Sequence, residues 1–293
     1  MKTSSFHFNA DPVWLEAQLN NRKRVPEFAE HIARWQNDSK AARALQRCHL
    51  DLAYGNNAAE KLDIFPAERT PNAERPAPVM VFIHGGYWRS LDKADHSFVA
   101  PAFTKAGACV VIPNYALCPT VTMEQLVLQQ VQALIWLYRN IVKFGGDPER
   151  ISVVGHSAGG HLAAMMLACQ WQTVAKDLPV NLVKNALSLS GLHDLEPLRH
   201  SPYISGDLRL TPSQVKRCSP AYFPAPQGQL TALCGSIESE EFRRQNRLIQ
   251  QAWGKRCVPI CEEVPGANHF SVLETLCTPG QRASDLALNL LVK

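Results

Sequence analysis

The run Ile151-Ser152-Val153-Val154-Gly155-His156-Ser157-Ala158-Gly159-Gly160-His161 leads from a β-branched apolar stretch into a helix-forming one through Gly-x-Ser-x-Gly, with no residues left over for a loop. A chain that changes from buried strand to helix in so short a space must bend sharply at the serine. Glycines at 155 and 159 remove the side chains that would collide across the bend, and the serine Oγ is left facing a pocket. Gly-x-Ser-x-Gly alone is also an ordinary glycine-rich turn. The strand before it and the segment Ala158–Ala164 behind it supply the context that a nucleophile-bearing elbow requires.

A second strand-like run, Pro78-Val79-Met80-Val81-Phe82-Ile83, ends in His84-Gly85-Gly86-Tyr87-Trp88. Adjacent glycines after a strand let backbone N–H groups turn toward a cavity, where they can hold the negative oxygen that forms when a carbonyl is attacked. Gly85, Gly86 and Ala158, the residue after the serine, are the expected donors. On its own the motif reads equally as a tight turn with an aromatic plug.

Apolar strands alternate with helical stretches from about residue 47 to the end. Strands are expected at 47–55, 61–66, 78–83, 109–113, 151–154, 185–189, 229–234 and 261–264. Helices are expected near 96–106, within 122–144, after Ser157, near 240–253 and at 281–292. Near-continuous apolar strands in β-α repeats predict an α/β fold, a mainly parallel central sheet covered by helices on both faces, with ligands beyond the carboxyl ends of the strands. Residues 1–46 read as an N-terminal helical arm, in which Trp14, Leu15, Leu19, Phe28, Ile32 and Trp35 pack on the body. Residues 195–228, proline-rich with a helical piece near 212–217, interrupt the alternation as a cap insertion or a passive surface loop. No linker or repeat divides the 293 residues, so a single domain is expected.

Hydrophobic residues make up 46% and charged residues 19% of the chain, with a net charge of +4, as in an ordinary globular protein. Arg22-Lys23-Arg24 is too short and too quickly followed by Val25-Pro26-Glu27 for a nucleic-acid patch, and reads as a solvated helix end. The N-terminus lacks an apolar signal core and no run approaches a membrane span, so the expectation is a cytoplasmic protein with a small-molecule substrate and neither nucleic-acid nor membrane partners. Nine cysteines without a disulfide rhythm read as reduced thiols. Cys257 and Cys261 lack the companions of a zinc site, so no metal and no cofactor is expected.

A serine hydroxyl needs a base, and the base needs an orienting group. His269, in the turn after the last strand, arrives at the same sheet edge as Ser157. His156 and His161 flank the elbow as structural or pocket residues, His84 fixes its own loop, and His96 and His193 have no assigned role. For the acid, Glu238 lies nearest the end of the strand 229–234, while Glu240 and Glu241 fall in a first helical turn that favours acids. The order Ser157, Glu238, His269 follows the Ser…Asp/Glu…His order of α/β-hydrolases. Asp194 is the rival acid, or else a cap for the segment after it.

Taken together, His84–Trp88, Tyr115-Ala116-Leu117-Cys118-Pro119, Gly145-Gly146-Asp147-Pro148, the elbow and Asn268-His269-Phe270 resemble the α/β-hydrolase branch that contains the arylformamidases, or kynurenine formamidases, and related hormone-sensitive-lipase-like esterases. Leu62–Pro66 and Glu238–Phe242 resemble that subgroup too, with Glu238 where relatives can carry Asp. The resemblance implies an α/β-hydrolase fold and hydrolysis of N-formyl-L-kynurenine to L-kynurenine and formate, a step of tryptophan catabolism, with Tyr87 and Trp88 as a substrate wall. Other formamidases use a metal held by clustered histidines, and no such cluster is visible. A carboxylesterase with a similar site is the alternative enzyme, and a catalytically silent ligand-binding α/β-hydrolase is the alternative of another class. Oligomeric state is not legible.

Overall fold

The computed structural model describes residues 7–68 and 75–292. Eight strands, β1 (His49–Ala53), β2 (Lys61–Phe65), β3 (Ala77–Ile83), β4 (Cys109–Pro113), β5 (Gly146–His156), β6 (Val183–Leu189), β7 (Gln229–Gly235) and β8 (Ile260–Val264), form one sheet in the order β1-β2-β4-β3-β5-β6-β7-β8. β2 runs antiparallel to β1 and β4, and every later pairing is parallel. Each expected strand is present.

The period of two along the strands divides the apolar residues between two cores. Val79, Val81 and Ile83 of β3 enter one core, beneath the helices Met123–Asn140, Ala158–Leu167 and Glu240–Cys257. Met80 and Phe82 enter the other, beneath Ala100–Lys105, Ser271–Cys277 and Arg282–Val292. In the middle of the sheet Val81 lies between Val111 and Val153, three β-branched neighbours buried on both faces.

Helix limits depart from the expected ones where local chemistry intervenes. The stretch 96–106 begins as two 3₁₀ turns, Lys93–Asp95 and Ser97–Val99, and the α-helix starts only at Ala100. Pro101 sits in its first turn, where a missing N–H costs nothing. The helix within 122–144 starts at Thr122, whose side chain and that of Gln125 cap each other's N–H groups. It gives way to a 3₁₀ turn at Ile141 and stops at Gly145, φ 82°. The insertion holds three short helices, Glu196–His200, Ser205–Leu208 and Pro212–Cys218, and a 3₁₀ turn at Pro220–Tyr222, where one piece was expected. The helix Ser271–Cys277 was not anticipated.

The arm forms helices Pro12–Leu19, Asn21–Arg24 and Phe28–Leu45. Leu15 and Leu19 belong to the first core, whereas Val25 and Trp35 belong to the second. The arm therefore passes from one face of the sheet to the other.

Candidate active site

The elbow geometry follows from contacts that only glycine permits. Ser157 has φ 56° and ψ −119°, a strained setting for a residue with a side chain. A Cβ on Gly155 would lie 2.0 Å from the Gly159 carbonyl oxygen, and one on Gly159 would lie 1.9 Å from that of Ile83. The helix Ala158–Leu167 can thus begin directly against the ends of β3 and β5.

Ser157, Glu238 and His269 come together there although 112 residues separate the serine from the histidine. His269 Nε2 is 3.0 Å from Ser157 Oγ, and His269 Nδ1 is 2.7 Å from Glu238 Oε2. All three residues are buried. The other oxygen of Glu238 accepts from the Gly235 N–H at 2.6 Å and from Ser190 Oγ at 2.5 Å. Ser190, which follows the last residue of β6 with φ 56°, was not singled out from the sequence. Its only sequence signal is its place before Gly191 at a strand end.

His156 lies tilted beside His269, ring centres 4.9 Å apart, and its Nε2–H donates to the His269 carbonyl at 2.8 Å. Burial, helped by the neighbouring His269, holds its pKa well below the ordinary histidine range. It is a neutral brace for the turn that carries His269.

Asp194 is placed elsewhere. Its Oδ1 accepts from the Glu196 N–H at 3.0 Å and from Tyr222 Oη at 3.2 Å, and its Oδ2 faces Arg244 at 3.7 Å. It thus holds the first N–H of the short helix Glu196–His200, whose N-cap residue is Leu195. Glu240 and Glu241 start the helix Glu240–Cys257, where Glu241 pairs with Arg244.

The glycine loop runs beside the nucleophile. A Cβ on Gly85 would meet the His156 carbonyl oxygen at 2.9 Å and Ser157 Cβ at 3.1 Å, and Gly86 has φ 109°. Ala158 opens its helix, where the first N–H groups have no intrahelical partner. The loop is tied down from several sides. His84 Nδ1 lies 2.8 Å from the Gly85 carbonyl, Tyr115 Oη donates to the His84 carbonyl at 2.9 Å, and the Cys118 N–H donates to the Trp88 carbonyl at 2.8 Å.

A cleft of about 510 Å³, counting its open mouth, lies above Ser157 and His269. Tyr87 lines it, and Tyr87 Oη donates to the Leu19 carbonyl of the arm at 2.6 Å. Trp88 corrects the expectation of a substrate wall: it is fully buried behind the loop, edge-on to His161 at 5.0 Å, and does not line this cleft. Two consecutive residues at positive φ, Tyr87 at 52° and Trp88 at 55°, turn these side chains in different directions. The arm supplies Asn21, Arg22, Ile32 and Trp35 to the cleft, and the insertion supplies Tyr203. Sequence patterning gave the arm's packing residues but no reason to place them beside a nucleophile. Among the described residues no group of three or more His, Cys, Asp and Glu is arranged to hold a metal ion, and no helix is long and apolar enough to cross a membrane.

Comparison with known proteins starts from the same region. The family described as BD-FAE matches residues 62–201, which include the glycine loop and the elbow. A crystal structure from Silicibacter sp. TM1040, provisionally described as a thioesterase, covers 95% of this chain and 99% of its own at 28% identity and a TM-score of 0.80. An esterase from Pyrobaculum calidifontis covers 96% of this chain and 97% of its own at 17% identity and a TM-score of 0.65. The chain is an α/β-hydrolase. Kynurenine formamidase from Danio rerio is 29% identical to this hydrolase over 271 residues, 90% of this chain and 88% of the relative. The hydrolase resembles arylformamidases, and it is an enzyme of the serine hydrolase class.

Proposed function

We propose that this hydrolase is an arylformamidase that cleaves N-formyl-L-kynurenine to L-kynurenine and formate. The observation that carries the reading is the likeness to the Danio rerio formamidase over 90% of this chain and 88% of the relative. In the reaction Ser157 Oγ bonds to the formyl carbon while His269 Nε2 takes the hydroxyl proton. N–H groups of Gly85, Gly86 and Ala158 hold the oxyanion. His269 then gives its proton to the arylamine nitrogen as the C–N bond breaks. Water repeats the cycle on the formyl-serine and releases formate. Glu238 fixes the imidazole tautomer and balances its charge throughout.

Tyr203 reaches the cleft from residues 195–228, which supports treating that insertion as a cap on a single domain. The cysteine pattern, nine residues without a disulfide rhythm, supports a reducing, cytoplasmic setting. The second reading is a carboxylesterase, favoured by the thioesterase description of the Silicibacter structure. The two are separated by kcat/KM for N-formyl-L-kynurenine against that for a short-chain aryl ester on one preparation. Formamide turnover at the uncatalysed background would leave the esterase reading.

A further inference from the structure

The basic run Arg22-Lys23-Arg24 has a place that a solvated helix end does not require. Its short helix passes the mouth of the cleft, so that Arg22 lines the same space as Ser157 and His269, while Arg24 turns back to donate to the Ala17 carbonyl at 3.3 Å. The fourteen residues around the cleft include two arginines and neither Asp nor Glu. Arg89, one of the two, is occupied: it pairs with Asp207 and lies over the Tyr203 ring at 4.5 Å. Arg22 faces the Phe28 ring at 5.7 Å and, among the described residues, meets no carboxylate. Beside it Asn21, only 4% exposed, also lines the cleft, and among the described residues its Nδ2 has no hydrogen-bond partner. Leaving a buried donor unmade is costly, so such a group marks a place where an acceptor is expected. Trp35, Tyr87, Tyr203 and Phe270 make the remaining wall largely aromatic.

We infer that Asn21 and Arg22 form a subsite for a carboxylate borne on the side chain of an aromatic substrate, so that the arm, and not the sheet, selects for the anion. This deepens the proposed function and rests on its assignment of the cleft. A guanidinium offers a planar fork that matches a carboxylate in two bonds, and the neighbouring amide adds a third donor. An aromatic ring stacked between the walls would leave its acidic tail at the mouth, where desolvation is partial and the cation remains hydrated when the site is empty.

The test uses two substrate pairs on the full chain. N-formyl-L-kynurenine, whose tail carries a carboxylate and an ammonium, is set against 3-amino-1-(2-formamidophenyl)propan-1-one, which keeps the ammonium and lacks the carboxylate, and 3-(3-acetoxyphenyl)propanoate against phenyl acetate. In Arg22→Ala the ratio of kcat/KM for the carboxylate-bearing substrate over the carboxylate-free one falls about tenfold, through KM, as expected for one hydrogen bond to a charged group. Arg22→Lys falls between the two. Lys23→Ala removes the same charge from a side chain outside the cleft lining and keeps the ratio. Calorimetry with 3-phenylpropanoate reads the contact without turnover, and its Kd rises about tenfold in Arg22→Ala. An unchanged ratio and Kd in Arg22→Ala, or an equal fall in Lys23→Ala, overturns the subsite. If formamides are inert while the ester pair shows the Arg22-dependent ratio, the formamidase reading fails and the subsite stands.

Discussion

Both oxygens of Glu238 are occupied, one by His269 and the other by Ser190 and the Gly235 N–H, so the carboxylate is held in one orientation. A glutamate has one more rotatable bond than an aspartate, and the Ser190 hydroxyl removes the freedom that this adds. Ser190→Ala is therefore expected to lower kcat roughly tenfold, about the worth of one hydrogen bond to a charged group, while KM stays within about twofold. Steady-state kinetics checks it, and a rise in KM at constant kcat would make Ser190 a pocket residue instead. Glu238→Gln should lower kcat on the order of 10³–10⁴-fold, as an acid lost from a triad does. Asp194→Asn, away from His269, should keep most turnover. The reverse outcome would return the role of acid to Asp194. Ser157→Ala should lose on the order of 10⁴-fold or more in kcat with an unchanged fold, and a serine-reactive organophosphate that still labels that variant would take Ser157 out of the chemistry.

At the scale of elements, the seat of the helix Ala158–Leu167 is the point of least tolerance. In Gly159→Ala the new methyl meets the Ile83 backbone, which cannot swing aside like a long side chain. The expected cost is about 3 kcal/mol or more, seen as a lower urea midpoint together with lost turnover. A midpoint equal to that of the parent chain would mean that the strand-to-helix junction is slack. These same glycines made the elbow legible in the sequence, because a steric requirement leaves a residue type behind it. The strands were legible for a similar reason: Val79–Ile83 is apolar on both faces, as only a covered sheet demands. The helix Ser271–Cys277 was not, since seven residues hold too few turns for a periodic signal. Trp88 and the arm illustrate a different limit. Whether an aromatic faces a cavity or lies behind it depends on the turn at Tyr87–Trp88 and on packing from residues far away in sequence, and neither leaves a local pattern.

For the molecule as a whole, several buried histidines set a common acid limit. Burial holds His96 at about 3, His161 at about 4 and His193 at about 3, and it lowers His84 and His156 as well. Each is expected near 6.5 in the unfolded chain, so below that pH the unfolded state takes up protons that the folded state refuses. Their contribution to stability is intact above about 6.5 and is lost as pH falls, at roughly 1.4 kcal/mol per unit for each. Buried Asp63 and Asp194, whose pKa values are raised by desolvation, work in the opposite sense, but only above the ordinary aspartate value of about 3.9 and as two groups against five. The urea midpoint should fall between pH 7 and pH 5. A midpoint that is constant or higher at pH 5 would show that these imidazoles find protons inside the fold.

The cleft takes its walls from segments far apart in sequence, Asn21 and Arg22 from before β1 and His269 and Phe270 from after β8. During synthesis the nucleophile and its glycine loop leave the ribosome long before the base does. A nascent chain that stops short of β8 carries Ser157 on its elbow without His269, the base proposed for it. The arm, made before β1, has no Phe270 to pack Trp35 against until β8 has followed. The proposed triad and the enclosure of the cleft are thus completed together by the segment that follows β8, and a chain without that segment lacks both.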